Sequence, residues 1–231
     1  MSPAPRISIV IPAYNCARYL PAAIESALGQ SLAPLEVIVV DDGSTDGVAD
    51  AAGRYAASVR YVYQVNAGSG PARNAGVGMA QGDWLAFLDG DDYWDADKLA
   101  RQAAAVLADP ALDIVFAHVQ QFFSDDIDPA LAERIRLPKD PMPGCCASAM
   151  LIRRAAFDRV GLFATGYQVS EFLDWYSRAT AAELRETTLS DVLVYRRVHG
   201  GNNSLRWRAA IGEYARVLKA AIDRRRRASP P

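Results

Sequence analysis

The feature that most constrains this chain is an alternation in its first half, where short apolar runs of strand length are separated by stretches with helical spacing. Ile7 to Ile11 and Glu36 to Val40 are the first two runs, and between them Ala17 to Leu28 places Leu20, Ile24 and Leu28 at fourfold spacing. Asp46 to Ala57 reads as a second helix, Arg60 to Val65 as a third strand, Pro71 to Gln81 as a third helix and Asp83 to Leu88 as a fourth strand. Repetition of this kind predicts an α/β fold with a mostly parallel central sheet flanked by helices on both faces.

In such sheets ligands gather outside the carboxyl ends of the strands. Polar or glycine-rich residues follow each run here: Pro12, Tyr14 and Asn15 after the first, Asp41 to Asp46 after the second, Asn66 to Asn74 after the third and Asp89 to Asp92 after the fourth. The four loops are expected to converge on one crevice. Beyond them the pattern gives a helix over Ala96 to Ala108, a strand over Asp113 to Phe123 and a Pro-rich, charged, irregular connection from Ser124 to Pro143. An apolar run from Cys146 to Ile152 follows, then a helix from Ser170 to Ala182, a strand from Thr187 to Val198 and an amphipathic helix from Leu205 to Ile222.

The segment Phe87 to Trp94 delivers Asp89, Asp91 and Asp92 directly after an apolar run. Carboxylates this close repel one another, and a Mg²⁺ or Mn²⁺ ion that also bridges a diphosphate relieves the repulsion. A solvated acidic turn ahead of a helix is the alternative. Asp41 and Asp42 stand at a strand end, where a carboxylate accepts from nucleobase N–H groups or ribose hydroxyls. Ser44 and Asp46 are helix-capping candidates. In the loop Asn66 to Asn74, Arg73 occupies the third glycine position of a dinucleotide fingerprint and no phosphate-loop lysine is present, which argues against Rossmann-type and P-loop enzymes. A guanidinium beside a metal-diphosphate site has an electrostatic role instead.

Composition narrows the class. The chain has 231 residues, a net charge of -2 and 51% hydrophobic residues, so it is long enough for a sizeable core and lacks the basic excess of a nucleic-acid binder. The basic run Arg224 to Arg227 reads as a solvated tail. Glu213 and Asp223 dilute the basic face of the last helix, which disfavours membrane contact. Three cysteines, Cys16, Cys145 and Cys146, form neither a paired framework nor a spaced metal site, and neither a signal layout nor a spanning segment is evident. A cytoplasmic protein is expected.

Four segments together resemble the family 2 inverting glycosyltransferases of the GT-A fold: Ser8 to Asn15, Val39 to Asp46, Ala72 to Gly76, and Gly82 through Trp94, in that order. The resemblance implies one domain, with residues 1–123 binding the nucleotide sugar and residues 124–231 forming a smaller acceptor side. It implies that Pro12, Tyr14 and one or both of Asp41 and Asp42 line the nucleoside pocket, with Arg73 near the base or phosphates. Asp89-Gly90-Asp91 matches the family's Asp-x-Asp motif, which implies Asp89 toward the ribose and Asp91 toward Mn²⁺ or Mg²⁺, with Asp92 beside them. It favours uridine or thymidine diphosphate sugars as donors.

The second half is similar more loosely. Met150 to Phe163 resembles the segment ahead of the family's catalytic helix, and Glu171, Asp174 and Arg178 match a pattern in which Glu-Asp precedes a second acid and an Arg. Phe172 stands where the Asp that usually serves as base belongs. The role then falls to Glu171, with Asp174 in reserve, because the two lie three residues apart on one helix face. The segment Tyr195 to Ser204 also resembles a family motif, and it implies that His199 reaches the metal or the diphosphate. His118, inside an apolar strand, is assigned to packing.

The expected chemistry is a single displacement at the anomeric carbon, with the base taking a proton from an acceptor hydroxyl. A nucleotidyltransferase and a catalytically weak sugar-nucleotide binding module are the rival readings. The acceptor and the oligomeric state are not legible.

Overall fold

The computed structural model describes residues 4–202 and 211–228. Its sheet carries, in chain order, β1 (Ile7–Ala13), β2 (Glu36–Asp42), β3 (Arg60–Gln64), β4 (Trp84–Phe87), β5 (Tyr93–Trp94), β6 (Ile114–Phe123), β7 (Met142–Pro143), β8 (Leu151–Arg153) and β9 (Glu186–Val198). The strands lie in the order β3-β2-β1-β4-β8-β6-β9-β5, with β7 against β6. β1 pairs in parallel with β2 and β4, β2 with β3, and β6 with β9. β8 runs against both β4 and β6, so β4 and β6 point the same way. The sheet is mostly parallel, as expected.

β1 is buried along its whole length and β2 along all but Glu36, which is why both read as unbroken apolar runs. Helix α1 (Leu20–Leu28) buries Leu20, Ala23, Ile24 and Ala27, an i, i+3, i+4, i+7 stripe that fixes it against the sheet. The remaining helices are α2 (Val48–Gly53), α3 (Ser69–Met79), α4 (Lys98–Ala108), α5 (Pro129–Arg134), α6 (Arg154–Val160), α7 (Glu171–Ala181) and α8 (Ile211–Ala228). α3 lies against β1 so closely that a Cβ on Gly76 would stand 2.3 Å from Val10 Cγ1. That contact sets where the N-terminus of α3 meets the carboxyl end of β1.

Several boundaries differ from the sequence reading. β2 runs two residues beyond Val40 and takes in both Asp41 and Asp42. The helix expected over Asp46 to Ala57 is shorter, and neither capping candidate caps it. Ser44 Oγ accepts from the Asn15 N–H at 3.0 Å and Asp46 from the Ala17 N–H at 2.9 Å, so both side chains tie the β2–α2 loop to the loop after β1. The connection from Ser124 to Pro143 contains α5, which Asp128 caps by accepting from the N–H groups of Ala130 and Leu131, and the short β7. Asn203 and Ser204 of the last motif, and residues 205–210 of the expected final helix, lie outside the described residues. Among the described residues no helix is long and apolar enough to cross a membrane.

Under the sheet's carboxyl end, Phe87, Phe157, Phe163 and Trp175 form an aromatic cluster, with Phe163 edge-on to Phe87 at 5.5 Å and Phe157 stacked on Trp175 at 5.4 Å. This cluster joins β4, α6 and α7 and holds the first turn of α7 at the mouth of the sheet.

Candidate functional site

The four loops do converge. A cavity of about 550 Å³ is lined by Pro12 and Tyr14 from the end of β1, Asp42 and Asn66, Ser69 and Arg73 from the start of α3, and Asp89 to Asp92 after β4. Its far wall comes from Gln168, Val169 and Glu171 at α7 and from Arg196, His199 and Asn202 at the end of β9. Gly90 lies at a tight point of this junction, where a Cβ would stand 2.9 Å from Cys16 Sγ and 3.1 Å from the Pro12 carbonyl oxygen.

Asp41 and Asp42 separate because both belong to β2, and neighbouring strand residues point to opposite faces. Asp42 lines the cavity, and its carboxylate accepts from Gln64 Nε2 at 2.6 Å and from the N–H groups of Ala67 at 2.9 Å and Gly68 at 2.8 Å. It thereby orders the glycine loop that leads into α3. Asp41 faces away, accepting from the Tyr61 hydroxyl at 2.7 Å and the Ser44 N–H at 2.8 Å. Of the two, only Asp42 reaches the cavity.

Arg73 is 5% exposed and joins two carboxylates: Nη2 donates to Asp89 at 2.6 Å and Nη1 to Glu171 at 2.6 Å. Burial alone would lower its pKa, but the Asp89 and Glu171 charges outweigh it and hold the guanidinium charged. Asp89 responds in kind. Burial raises its pKa and the Arg73 charge lowers it further than that, leaving it below the ordinary aspartate value. Ser148 Oγ accepts from the Asp89 N–H at 3.1 Å and the Ser148 carbonyl from Trp94 Nε1 at 2.9 Å, so this serine anchors the acidic segment at both ends.

The two acids that sequence could not separate differ sharply. Asp91 keeps 26% of its side chain exposed, and its Oδ2 lies 3.0 Å from His199 Nε2 and 3.1 Å from Asn202 Nδ2. Asp92 is 3% exposed, and burial, reinforced by the charges of Asp91 and Asp89, pushes its pKa well above the ordinary value. Its Oδ1 accepts from the Arg197 N–H at 2.9 Å, which fixes the end of β9 against the acidic turn. No group of three or more His, Cys, Asp and Glu side chains poised to hold a metal occurs among the described residues. Asp91 on its own suits a Mg²⁺ or Mn²⁺ ion that takes most of its oxygens from substrate phosphates and water, since such ions are commonly held by one or two carboxylates.

Glu171 and Asp174 also part company. Glu171 Oε1 accepts from Arg73 and from the Ser69 hydroxyl at 2.6 Å, while Oε2 is buried without a partner. Asp174 is not on the cavity. It accepts from Arg178 Nε at 2.9 Å and lies 3.5 Å from Arg224 Nη1, pinning α8 to α7. Phe172 turns into aromatic packing, stacked on Tyr176 at 6.1 Å and edge-on to Phe116 at 6.4 Å. His118 sits at the irregularity where β6 shifts register against β9. The roles of Ser69 and Ser148 were missed in the sequence. Ser69 had a signal in its glycine-rich loop; Ser148 had none.

A family model described as glycosyl transferase family 2 matches residues 8–161. An uncharacterized glycosyltransferase of Nostoc sp. is 30% identical over 242 residues, spanning 94% of this chain and 72% of the relative. A PGL/p-HBAD biosynthesis glycosyltransferase of Mycobacterium bovis is 33% identical over 184 residues, 74% of this chain and 68% of the relative. Among solved structures, S. aureus TarS 1-349 in complex with UDP-GlcNAc superposes with a TM-score of 0.74 at 20% identity over 95% of this chain and 66% of that one. Mannosyltransferase PcManGT from Pyrobaculum calidifontis, in complex with GDP-Man and Mn2+, superposes with a TM-score of 0.66 at 21% identity over 87% and 59%. The present chain thus spans about two thirds or less of those crystallised chains. The likeness establishes a GT-A type fold.

Proposed function

The chain belongs to glycosyl transferase family 2, and from that premise we propose that it transfers a sugar from a nucleoside-diphosphate sugar to an acceptor hydroxyl by one inverting, metal-dependent displacement. The observation that carries the reading is the Arg73 bridge, which joins an acid after β4 to an acid on α7 across the floor of one cavity. Donor-side and acceptor-side groups are thereby held at a fixed separation, as a displacement between two substrates requires.

In this reading Pro12, Tyr14 and Asp42 bind the nucleoside, Asp89 the ribose, and Asp91, with His199 3.0 Å away, would hold Mn²⁺ or Mg²⁺. The ion, when bound, supplies charge neutralisation for the departing diphosphate. Arg73 and Arg196 add positive charge beside the same groups. Glu171 is the base: it lines the cavity, Arg73 and Ser69 fix its Oε1, and no protein group competes for Oε2 as the carboxylate takes the proton of the acceptor hydroxyl. We assign Asp174 to bracing α7 against α8, on its contacts to Arg178 and Arg224, rather than to the role of reserve base.

Uridine and thymidine diphosphate sugars remain the favoured donors. The UDP-GlcNAc and GDP-Man complexes of the structural neighbours make uridine and guanosine donors the first to test. Residues 1–123 are assigned to the donor and residues 124–231 to the acceptor. We place the protein in a reducing, cytoplasmic setting, which the free Cys16, Cys145 and Cys146 support. The packed Phe172, at the position of the family's usual base, favours a second reading as a weak sugar-nucleotide binding module. Thermal shift against a panel of nucleotide sugars with and without Mn²⁺, followed by product analysis, tests both. A donor that stabilises the fold and yields a nucleoside diphosphate with acceptor present supports the transferase. Release of pyrophosphate from a nucleoside triphosphate would make it a nucleotidyltransferase, and binding without turnover would make it a binding module.

A further inference from the structure

Glu213, read from the sequence as part of a basic helix face, turns inward from the first turn of α8 and is 9% exposed. Its Oε1 accepts from the Gln168 N–H at 2.9 Å, and its Oε2 accepts from the N–H groups of Gln168 and Val169, both at 3.1 Å. A buried carboxylate is costly unless hydrogen bonds replace its water, and two main-chain N–H groups do so here. Arg216 adds to the anchorage, with Nη2 3.5 Å from Glu213 Oε1 and the guanidinium 5.3 Å from the centre of the Tyr167 ring. Seating α8 does not by itself require this acid. Val217, one turn on, is buried, and Arg224 reaches Asp174 and donates to the Ser177 hydroxyl at 2.9 Å.

The segment that Glu213 holds is a wall of the cavity. Gln168 and Val169 line it, and Glu171 opens α7 two residues further on. At its other end the segment is tied to α3, where the Asn74 side chain exchanges two hydrogen bonds with the Phe163 main chain, both at 2.9 Å. Ser170, directly ahead of α7, gives the helix no side-chain cap, and its Oγ is buried without a partner. Glu213 thus supplies, from 45 residues away in sequence, bonds to the main chain ahead of Glu171 that the Ser170 hydroxyl does not.

We infer that Glu213 is a positioning residue of the site: from α8 it fixes Gln168 and Val169 as a wall of the cavity, and through them the start of α7 that presents Glu171. The role of Glu171 as base rests on the transferase reading above; the hold on Gln168 and Val169 does not. Small displacements of a group that must meet a reacting atom lower turnover strongly. The nucleotide pocket, built from the loops after β1, β2 and β4, is left as it was.

Two variants separate positioning from simple attachment of α8. Glu213→Ala removes the hold on the wall, whereas Arg224→Ala loosens α8 from α7 and leaves the Glu213 bonds in place. In amide hydrogen exchange of the full chain, Gln168 and Val169 are expected to exchange about tenfold or more faster in Glu213→Ala and within about twofold of the parent in Arg224→Ala. Parent-like exchange in Glu213→Ala overturns the inference. Hydrolysis of nucleotide sugars with Mn²⁺, UDP-GlcNAc and GDP-Man among them and water as the acceptor, gives a second readout. Glu213→Ala is expected to lose about tenfold or more in kcat with donor KM within about twofold, and Arg224→Ala to keep both. Glu213→Gln retains one acceptor oxygen, so its kcat should fall between those of the parent and Glu213→Ala, and it carries the comparison if the alanine variant does not fold. Equal losses of kcat on changing Glu213 and Arg224 would reduce Glu213 to a structural contact and overturn the inference. A parent protein that hydrolyses none of the sugars counts against the transferase reading, and the exchange rates then decide the hold on the wall by themselves.

Discussion

Arg73 on α3 and Glu171 at the start of α7 are 98 residues apart in sequence and 2.6 Å apart in the fold, with side chains 6% and 7% exposed. Through Arg73 the base candidate is coupled to Asp89, so the two sides of the cavity share one cation. Buried charges are tolerated only when paired and hydrogen-bonded; Arg73 and Glu171 meet that condition, and the more exposed Asp89 is the second partner of Arg73.

Breaking that pair from one end leaves a buried carboxylate uncompensated. Arg73→Met is expected to destabilise the fold by about 3–5 kcal/mol in urea unfolding. Arg73→Lys, whose single ammonium cannot fork between two carboxylates, recovers only part of the loss. Full stability in Arg73→Met would mean the bridge does not form.

Turnover and architecture are assigned to different acids of α7. Glu171→Gln is expected to lower kcat by about 10²–10⁴-fold with donor affinity, measured calorimetrically, little changed. Asp174→Asn should keep kcat and lose stability, because it loosens the contacts to Arg178 and Arg224. The reverse pattern would transfer the base to Asp174.

The neighbouring acids of β2 give a similar contrast. Asp42→Asn removes the charge-assisted bonds to the Ala67 and Gly68 N–H groups, so it should raise the donor KM about tenfold or more. Asp41→Asn touches Tyr61 and Ser44, outside the cavity, and should cost about 1–2 kcal/mol of stability with donor KM unchanged. A raised donor KM in Asp41→Asn would contradict the face assignment.

Lys98 supplies a pH test. It is fully buried, with Nζ 3.9 Å from the centre of the Trp94 ring and bonded to Gln102 at 2.8 Å, and burial lowers its pKa from 10.5 to about 7. A lysine whose pKa is lower in the folded state opposes folding fully below pH 7, and the penalty fades as pH rises from about 7 toward 10.5, because the unfolded chain then binds the extra proton. Lys98→Met is therefore expected to be more stable than the parent at pH 7, by on the order of a few kcal/mol, with the gap narrowing toward pH 10. Urea midpoints of the two proteins across that range provide the measurement. A gap that widens with pH would reverse the sign.

The alternation of apolar runs and helical spacing was enough to specify a mostly parallel sheet and to bring four polar loops to one end of it. Those signals are local, because strand and helix periods are written within a few residues. The pair Asp41 and Asp42, Arg73, Asp89 and Asp91 were accordingly legible as members of one crevice, and Glu171 and His199 joined them only through the resemblance to the family. What each does there depended on packing between distant segments. The face on which Asp41 points followed from β2 continuing past Val40, and the separation of Asp91 from Asp92 followed from how β9 docks on the acidic turn. Asp174 was drawn away by an α8 arginine, and His199 was brought against Asp91 by the end of β9. A linear sequence specifies which groups can donate, accept or carry charge. Only the folded chain decides which of them meet, because burial and hydrogen-bond direction arise from contacts that sequence spacing does not encode.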